Sequence, residues 1–236
     1  MATFVLVHGA YHGGWCWRRV LDRLTANGHR AFAPSLTGLA ERSHLASPAV
    51  DLDTHIADIA NLLRWEGLSD VVLCGHSYGG MVVTGAADRE AGRVAALVYL
   101  DALVPSDGQS AMQVVLPDRA AGIRNSAAGN DGWRAPPPSA ASFGVIDPAD
   151  QAWVDELCTP QPIATLMQPI RLTGQLDRVK RRHYILAKRY DPSAFHGFAA
   201  RFRADPAWRV DELDTGHDAM VTMPKEVADL LGASAR

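Results

Sequence analysis

The sequence has few of the residues and runs that mark specialised protein classes. Its three cysteines, Cys16, Cys74 and Cys158, are an odd number without metal-ligand spacing, which argues against both a disulfide framework and a metal site. No apolar stretch approaches the roughly 20 residues of a membrane span. We therefore expect no metal and no membrane partner, and a reducing cytoplasm is the simplest location.

A strong charge of one sign is also lacking. The chain has 26 acidic residues and 23 Lys and Arg, and its net charge of −3 is not gathered into a stripe. That balance argues against a nucleic-acid partner. With 47% hydrophobic and 21% charged residues, the 236-residue chain has an ordinary globular composition, and we expect a single domain over 1–236. Whether it forms a homodimer stays open.

Short apolar runs alternate with helical patterns along most of the chain. Strands are predicted at 4–7, 31–33, 71–74, 94–100, 183–187 and 208–213. Helices are predicted before Asn27-Gly28, over about 52–65, from Met81 to about Ala91, and over 224–231. Strands that are apolar on both faces and alternate with helices are typical of an α/β fold with a mostly parallel central sheet covered on both sides.

Residues from about 105 to 168 break this rhythm. They are rich in Ala, Pro, Gly and Ser and include Pro136-Pro137-Pro138. A connection of this length inside a compact domain is usually functional, so we predict a cap insertion over the sheet. A surface excursion without a role is the alternative.

Gly75-His76-Ser77-Tyr78-Gly79 is a G-x-S-x-G sequence between an apolar strand and a helix. In that context it predicts a nucleophile elbow, a strained turn that exposes the serine hydroxyl. A serine needs a histidine to take its proton, and an acid to orient that histidine. Among nine histidines, His217 follows a predicted strand and precedes the last helix, which is the expected place for the base.

The acid has two candidates in the required chain order. Asp101 ends the apolar strand 94–100, and Asp191 follows the strand 183–187. A carboxylate at the mouth of a buried strand needs a partner to offset its desolvation. We favour Asp101 and keep Asp191 as the alternative.

His8-Gly9-Ala10-Tyr11-His12-Gly13-Gly14 directly follows the first strand. Its small residues would let backbone N–H groups approach a substrate, and such a loop supplies the second donor of an oxyanion hole. We assign the two donors to the backbone N–H groups of Ala10 and Tyr78. A nucleotide-binding loop is the poorer interpretation, because no Lys and Ser/Thr pair follows.

These segments, together with Gly216-His217-Asp218-Ala219-Met220, resemble the plant methylesterase and hydroxynitrile lyase branch of the α/β-hydrolase superfamily and bacterial esterases close to it. The resemblance covers nearly the whole chain and implies an α/β-hydrolase fold without a cofactor. The lyases carry a threonine after the first strand and a lysine after the catalytic histidine. This chain has Gly9 and Asp218 there, so ester hydrolysis is favoured over cyanohydrin cleavage.

Resemblance to different members of the superfamily favours different candidates for the acid. The plant enzymes imply an acid after the later strand, which points to Asp191. Asp101 is instead similar in position to the acid of haloalkane dehalogenases and some other members of the superfamily.

The predicted reaction is hydrolysis of a small carboxylic ester through an acyl-Ser77 intermediate, with a carbamate, amide or lactone as related substrates. A lactone-ring or C–C hydrolase and a ligand receptor on a hydrolase scaffold are alternative functions. A mostly apolar pocket with a few polar groups would suit an aromatic or alicyclic substrate. Its candidate lining residues are Tyr11, His12, Tyr78, Met112, Trp133 and Met220.

Overall fold

Six parallel strands form the centre of the molecule in the computed structural model, which describes residues 1–235. The strands of the chain are β1 (Thr3–Val7), β2 (Arg30–Phe32), β3 (Val71–His76), β4 (Val94–Leu100), β5 (Arg134–Ala135), β6 (Gln161–Pro162), β7 (Arg181–Ala187) and β8 (Trp208–Leu213). The large sheet has the order β2-β1-β3-β4-β7-β8, and β5 pairs with β6 in a separate antiparallel ribbon. All carboxyl ends of the six strands therefore meet at one edge.

The inner strands bury side chains on both faces. In β1, Val5 and Val7 join one apolar cluster, whereas Phe4 and Leu6 join the cluster on the opposite face. This alternation follows from the two-residue period of a strand. It explains why continuous apolar runs, rather than alternating ones, mark these strands in the sequence.

Helices cover both faces of the sheet. The α-helices of the described residues are α1 (Arg18–Ala26), α2 (Leu52–Trp65), α3 (Gly79–Arg89), α4 (Ala111–Val114), α5 (Pro117–Ala128), α6 (Pro148–Leu157), α7 (Ala164–Met167), α8 (Phe195–Arg203), α9 (Ala219–Thr222) and α10 (Pro224–Ser234), of which α4 to α7 belong to the segment 105–168. Buried residues of α2, α3 and α8 belong to the cluster of Val5, and those of α1 and α10 to the cluster of Phe4. Helices α1, α2, α8 and α10 thus bury one apolar face, whereas α3 is buried over nearly its whole surface.

The predicted fold class is confirmed, and most element boundaries shift by one or two residues. Helix α2 and strands β4 and β8 have the predicted bounds. Helix α8 was not among the expected elements, although Phe195, Ala199 and Phe202 recur at helical spacing and are buried.

The segment 105–168, predicted as a cap, contains α4 to α7 and the β5–β6 ribbon, all outside the six-stranded sheet. Only Ala120 and Ala127 of α5 are buried, so this helix is held by small residues. Across residues 1–235, no helix combines the length and the apolar character needed to cross a membrane.

Helix α3 approaches the chain after β4 so closely that a side chain would not fit. A Cβ atom at Gly80 would lie 2.2 Å from the carbonyl oxygen of Leu103. Backbone must therefore move if any other residue replaces Gly80. Gly92, by contrast, has nothing within 4 Å of such an atom.

We expect Gly80→Ala to lower the free energy of unfolding by about 1–3 kcal/mol, because the added methyl group overpacks a fixed backbone contact. Gly92→Ala is the matched control and should change stability little. Urea unfolding of both variants checks this expectation. An equal effect of the two substitutions would contradict the proposed clash.

Candidate active site

Ser77 lies in the tight turn between β3 and α3. Its backbone is left-handed, with φ of 53°, which is a strained conformation for a residue with a side chain. Gly75 and Gly79 make the turn possible, since a Cβ at Gly75 would lie 2.5 Å from the Gly79 carbonyl oxygen. The Ser77 N–H donates to Leu100 O at 3.3 Å, and its carbonyl accepts from the Leu103 N–H at 3.0 Å. The end of β4 therefore holds the turn.

The side chains of Ser77, His217 and Asp101 form one hydrogen-bonded chain. His217 Nε2 lies 2.8 Å from Ser77 Oγ, and His217 Nδ1 lies 2.6 Å from Asp101 Oδ2. The carbonyl of Phe143 accepts the His217 N–H at 2.8 Å, which ties the histidine loop to the segment 105–168. These distances allow His217 to accept the proton of the serine while the carboxylate orients the ring.

Of the two candidate acids, the structure brings only Asp101 to His217. Asp101 is fully buried, and its second oxygen accepts the Ala187 N–H at 3.1 Å. Its backbone is also left-handed, with φ of 42°. The Asp191 side chain is 72% exposed and lies 3.9 Å from His196 Nδ1, so the alternative assignment is corrected.

Aromatic rings enclose the imidazole of His217. Tyr190 stacks on it with ring centroids 4.4 Å apart, and Phe195 stacks at 5.1 Å. Burial among these rings lowers the pKa of His217 below its ordinary value of 6.5. The ring is therefore neutral around pH 7, which is the form that accepts a proton.

The loop after β1 lies directly against the nucleophile. A Cβ atom at Gly9 would be 2.8 Å from Ser77 Cβ, so glycine is required for this approach. Both Ala10 and Tyr78 line the cavity in front of Ser77. Within residues 1–235 neither of their backbone N–H groups donates a hydrogen bond to the protein. Two free donors thus remain where an oxyanion hole is expected.

A buried ion pair lies behind the hydrogen-bonded chain of Ser77, His217 and Asp101. His12 Nδ1 donates to Ala10 O at 2.8 Å, and His12 Nε2 donates to Asp218 Oδ2 at 3.1 Å, so both ring nitrogens carry protons. Burial alone would lower the pKa of His12, but the Asp218 carboxylate raises it well above its ordinary value. His12 is therefore positively charged and supports the loop after β1 through its hydrogen bond to Ala10.

His76 connects this pair to the histidine loop. Its Nε2 donates to the backbone carbonyl of His217 at 3.0 Å and lies 4.0 Å from Asp218 Oδ1. Burial lowers the pKa of His76 far below the ordinary histidine value, so this ring is neutral. No sequence motif predicts a role for His76, and Asp218 stands out in the sequence only where the lyases carry a lysine.

The site opens into one cavity of about 400 Å³. Much of its lining is apolar and comes from the segment 105–168, namely Met112, Val115, Leu116, Ile123, Pro136 and Phe143. Tyr11, His12 and Met112 line the cavity as expected. Arg119, Ser126 and Phe195 also line it, although no sequence motif pointed to them.

Two expected substrate contacts are corrected. Met220 on α9 is fully buried and does not reach the cavity, because its side chain packs into the core cluster of Phe4. Trp133 does not line the cavity either, and the Arg134 guanidinium lies over its ring at 4.5 Å. In residues 1–235, no cluster of His, Cys, Asp or Glu has the arrangement of a metal site.

Comparison with known proteins agrees with this architecture. A carbendazim hydrolyzing esterase of Nocardioides sp. is 45% identical to this chain over 242 residues, which cover 99% of both chains. Methylesterase 3 of Arabidopsis thaliana is 34% identical over 117 residues, covering 45% of this chain and 41% of that protein.

Solved structures share the fold at low sequence identity. An extracellular α/β-hydrolase from a Paenibacillus species superimposes with a TM-score of 0.89 at 20% identity, covering 100% of both chains. Tomato methylketone synthase I superimposes with a TM-score of 0.78 at 19% identity, over 99% of this chain and 97% of that one. A sequence model of the alpha/beta hydrolase family matches residues 4–230. The chain therefore belongs to the alpha/beta hydrolase family.

Proposed function

We propose that this chain is a serine hydrolase that cleaves small aromatic esters or carbamates through an acyl-Ser77 intermediate. Its family membership and its full-length likeness to an esterase make it a carboxylic ester hydrolase. The observation that carries the serine mechanism is the chain of contacts from Ser77 Oγ to His217 at 2.8 Å and on to Asp101 at 2.6 Å.

Each side chain has a definite part in the proposed reaction. Ser77 Oγ attacks the acyl carbon while His217 Nε2 takes its proton, and the N–H groups of Ala10 and Tyr78 stabilise the oxyanion. His217 then gives the proton to the leaving oxygen or nitrogen, which leaves an acyl-Ser77. Water, deprotonated by His217, attacks that intermediate and releases the acid.

The cavity supports a compact substrate class. Its volume of about 400 Å³ and its mostly apolar lining suit a substrate with one aromatic ring system and a short ester group. The segment 105–168, in the proposed role of a cap, supplies much of this lining and thereby selects the substrate. The relative from Nocardioides hydrolyses carbendazim, as its name states, which extends the proposal to carbamates.

We expect Ser77→Ala to reduce kcat/KM for p-nitrophenyl and methyl aryl esters by at least about 10³-fold, since the nucleophile is lost. Asp101→Asn should reduce it by about 10²- to 10⁴-fold, because the imidazole loses its orientation. Asp191→Asn, at an exposed site, should retain wild-type turnover. Steady-state kinetics on purified variants measure these effects. Full activity of Ser77→Ala would disprove the mechanism.

The pH profile of kcat/KM should reflect the buried base. His217 must be neutral to accept a proton, and burial lowers its pKa, so activity is lost only as pH falls through a value below 6.5. Initial rates across the acid range, with a neutral ester, give the midpoint. A midpoint above 6.5 would contradict the proposed burial effect.

Asp218→Ala should destabilise the protein by about 3–5 kcal/mol, because it leaves the His12 charge buried without its partner. Asp229→Ala breaks the exposed pair with Lys225 and is the matched control, for which little change is expected. Thermal and urea unfolding compare the two. Similar small effects of both variants would show that the His12–Asp218 pair carries no stabilising charge interaction.

A further inference from the structure

One charged side chain in the active-site cavity has no part in the reaction described above. Of the Lys, Arg, Asp and Glu side chains in residues 1–235, only that of Arg119 lines this cavity. His12 also carries a positive charge there, but Asp218 neutralises it at 3.1 Å. Arg119 is thus the one positive charge of the cavity, as the structure describes it, that no acid pairs with directly, although its charge also acts on the buried Asp101.

Arg119 has no carboxylate partner in the part of the chain that the structure describes. Its guanidinium lies over the ring of Tyr190, 5.2 Å from the centroid. Several other arginines of the chain are paired with acids, for example Arg19 with Asp150 at 2.6 Å and Arg42 with Asp58 at 3.3 Å. A cation beside an apolar cavity, with its hydrogen-bond donors unused by any acid, is suited to an anion from outside the chain.

The charge of Arg119 acts on His217 and on Tyr11, which line the same cavity. Burial lowers the pKa of His217, and the charge of Arg119 lowers it further. Burial raises the pKa of Tyr11 to about 12, and Arg119 opposes that rise. Tyr11 and His217 line the same cavity, so a substrate bound against Ser77 lies within the field of Arg119.

We propose that Arg119 binds an ionised carboxylate on the substrate, so that the preferred substrates are esters carrying a second, free acidic group, such as monoesters of aromatic dicarboxylic acids. This inference rests on the proposed function, because it names the substrate class of the same site. The planar fork of guanidinium N–H groups matches the two oxygens of a carboxylate. The ester group lies at Ser77 and the free carboxylate lies toward α5.

The Arg119 side chain is exposed to solvent, and this exposure limits how strongly it can bind a carboxylate. Solvent screens its charge, so the interaction is weaker than that of a fully buried pair and decreases with added salt. We therefore expect a selectivity of about two- to fivefold in kcat/KM rather than absolute dependence.

The test uses two methyl esters of the same shape. Monomethyl terephthalate carries a carboxylate, and methyl 4-nitrobenzoate carries a neutral group with the same planar arrangement of two oxygens. The ratio of kcat/KM for the charged ester to that for the neutral ester is measured at about pH 8, where His217 is neutral in all variants. Differences in the intrinsic reactivity of the two esters cancel when each variant is compared with the wild type.

Arg119→Gln should lower this ratio about two- to fivefold, and about 0.5 M NaCl should also lower the wild-type ratio. Arg119→Lys should keep part of the ratio, because it keeps the charge without the fork. Arg124→Gln is the matched control, since Arg124 lies on the same helix but does not line the cavity.

An unchanged ratio in Arg119→Gln would overturn the inference, as would an equal fall in Arg124→Gln. If the wild type hydrolyses the neutral ester while the ratio is independent of Arg119, the proposed function survives and only the substrate class fails. If the wild type hydrolyses neither ester, both proposals fail.

Discussion

The left-handed backbone at Ser77 is the constraint on which the active site depends. This conformation is unfavourable for a residue with a side chain, so the surrounding structure must hold it. The hydrogen bonds to Leu100 and Leu103 provide that support from the neighbouring strand. The glycines at 75 and 79 remove the side chains that would prevent the turn. The hydroxyl is thereby presented at the edge where all six strands end.

Two buried carboxyl groups, those of Asp101 and Asp218, also lie at this edge of the sheet, and each would be unfavourable without a partner. Asp101 is fully buried, but one of its oxygens is bound to His217 and the other to the Ala187 N–H. Asp218 is equally buried and is bound to His12. A buried charge with a partner is tolerated, whereas removal of one partner leaves the other desolvated. This gives each member of the two pairs a structural role as well as its place at the site.

The segment 105–168 forms much of the wall of the active-site cavity. Its Phe143 carbonyl binds the backbone N–H of His217, and Gly144 contacts Gly216 so closely that a Cβ at Gly216 would lie 2.6 Å from the Gly144 oxygen. The segment therefore positions the histidine loop as well as forming the cavity wall. Helix α5 of this segment carries Arg119. The buried residues of this helix are the small Ala120 and Ala127, so the cavity wall next to Arg119 packs on little apolar surface.

Local patterns in the sequence were sufficient to predict the six strands of the large sheet, the helices α1, α2, α3 and α10, the turn at Ser77 and the location of His217. These features depend on neighbouring residues: apolar runs predict buried strands, and glycines flanking a serine predict a tight turn. The choice between Asp101 and Asp191 was decided only by the tertiary structure, because both follow strands and differ only in where their side chains lie. The same holds for Trp133 and Met220, whose residue types suit a pocket but whose positions do not reach it, and for Arg119, which no motif marks. Contacts between residues distant in the chain depend on how the elements pack, and no local pattern records that packing.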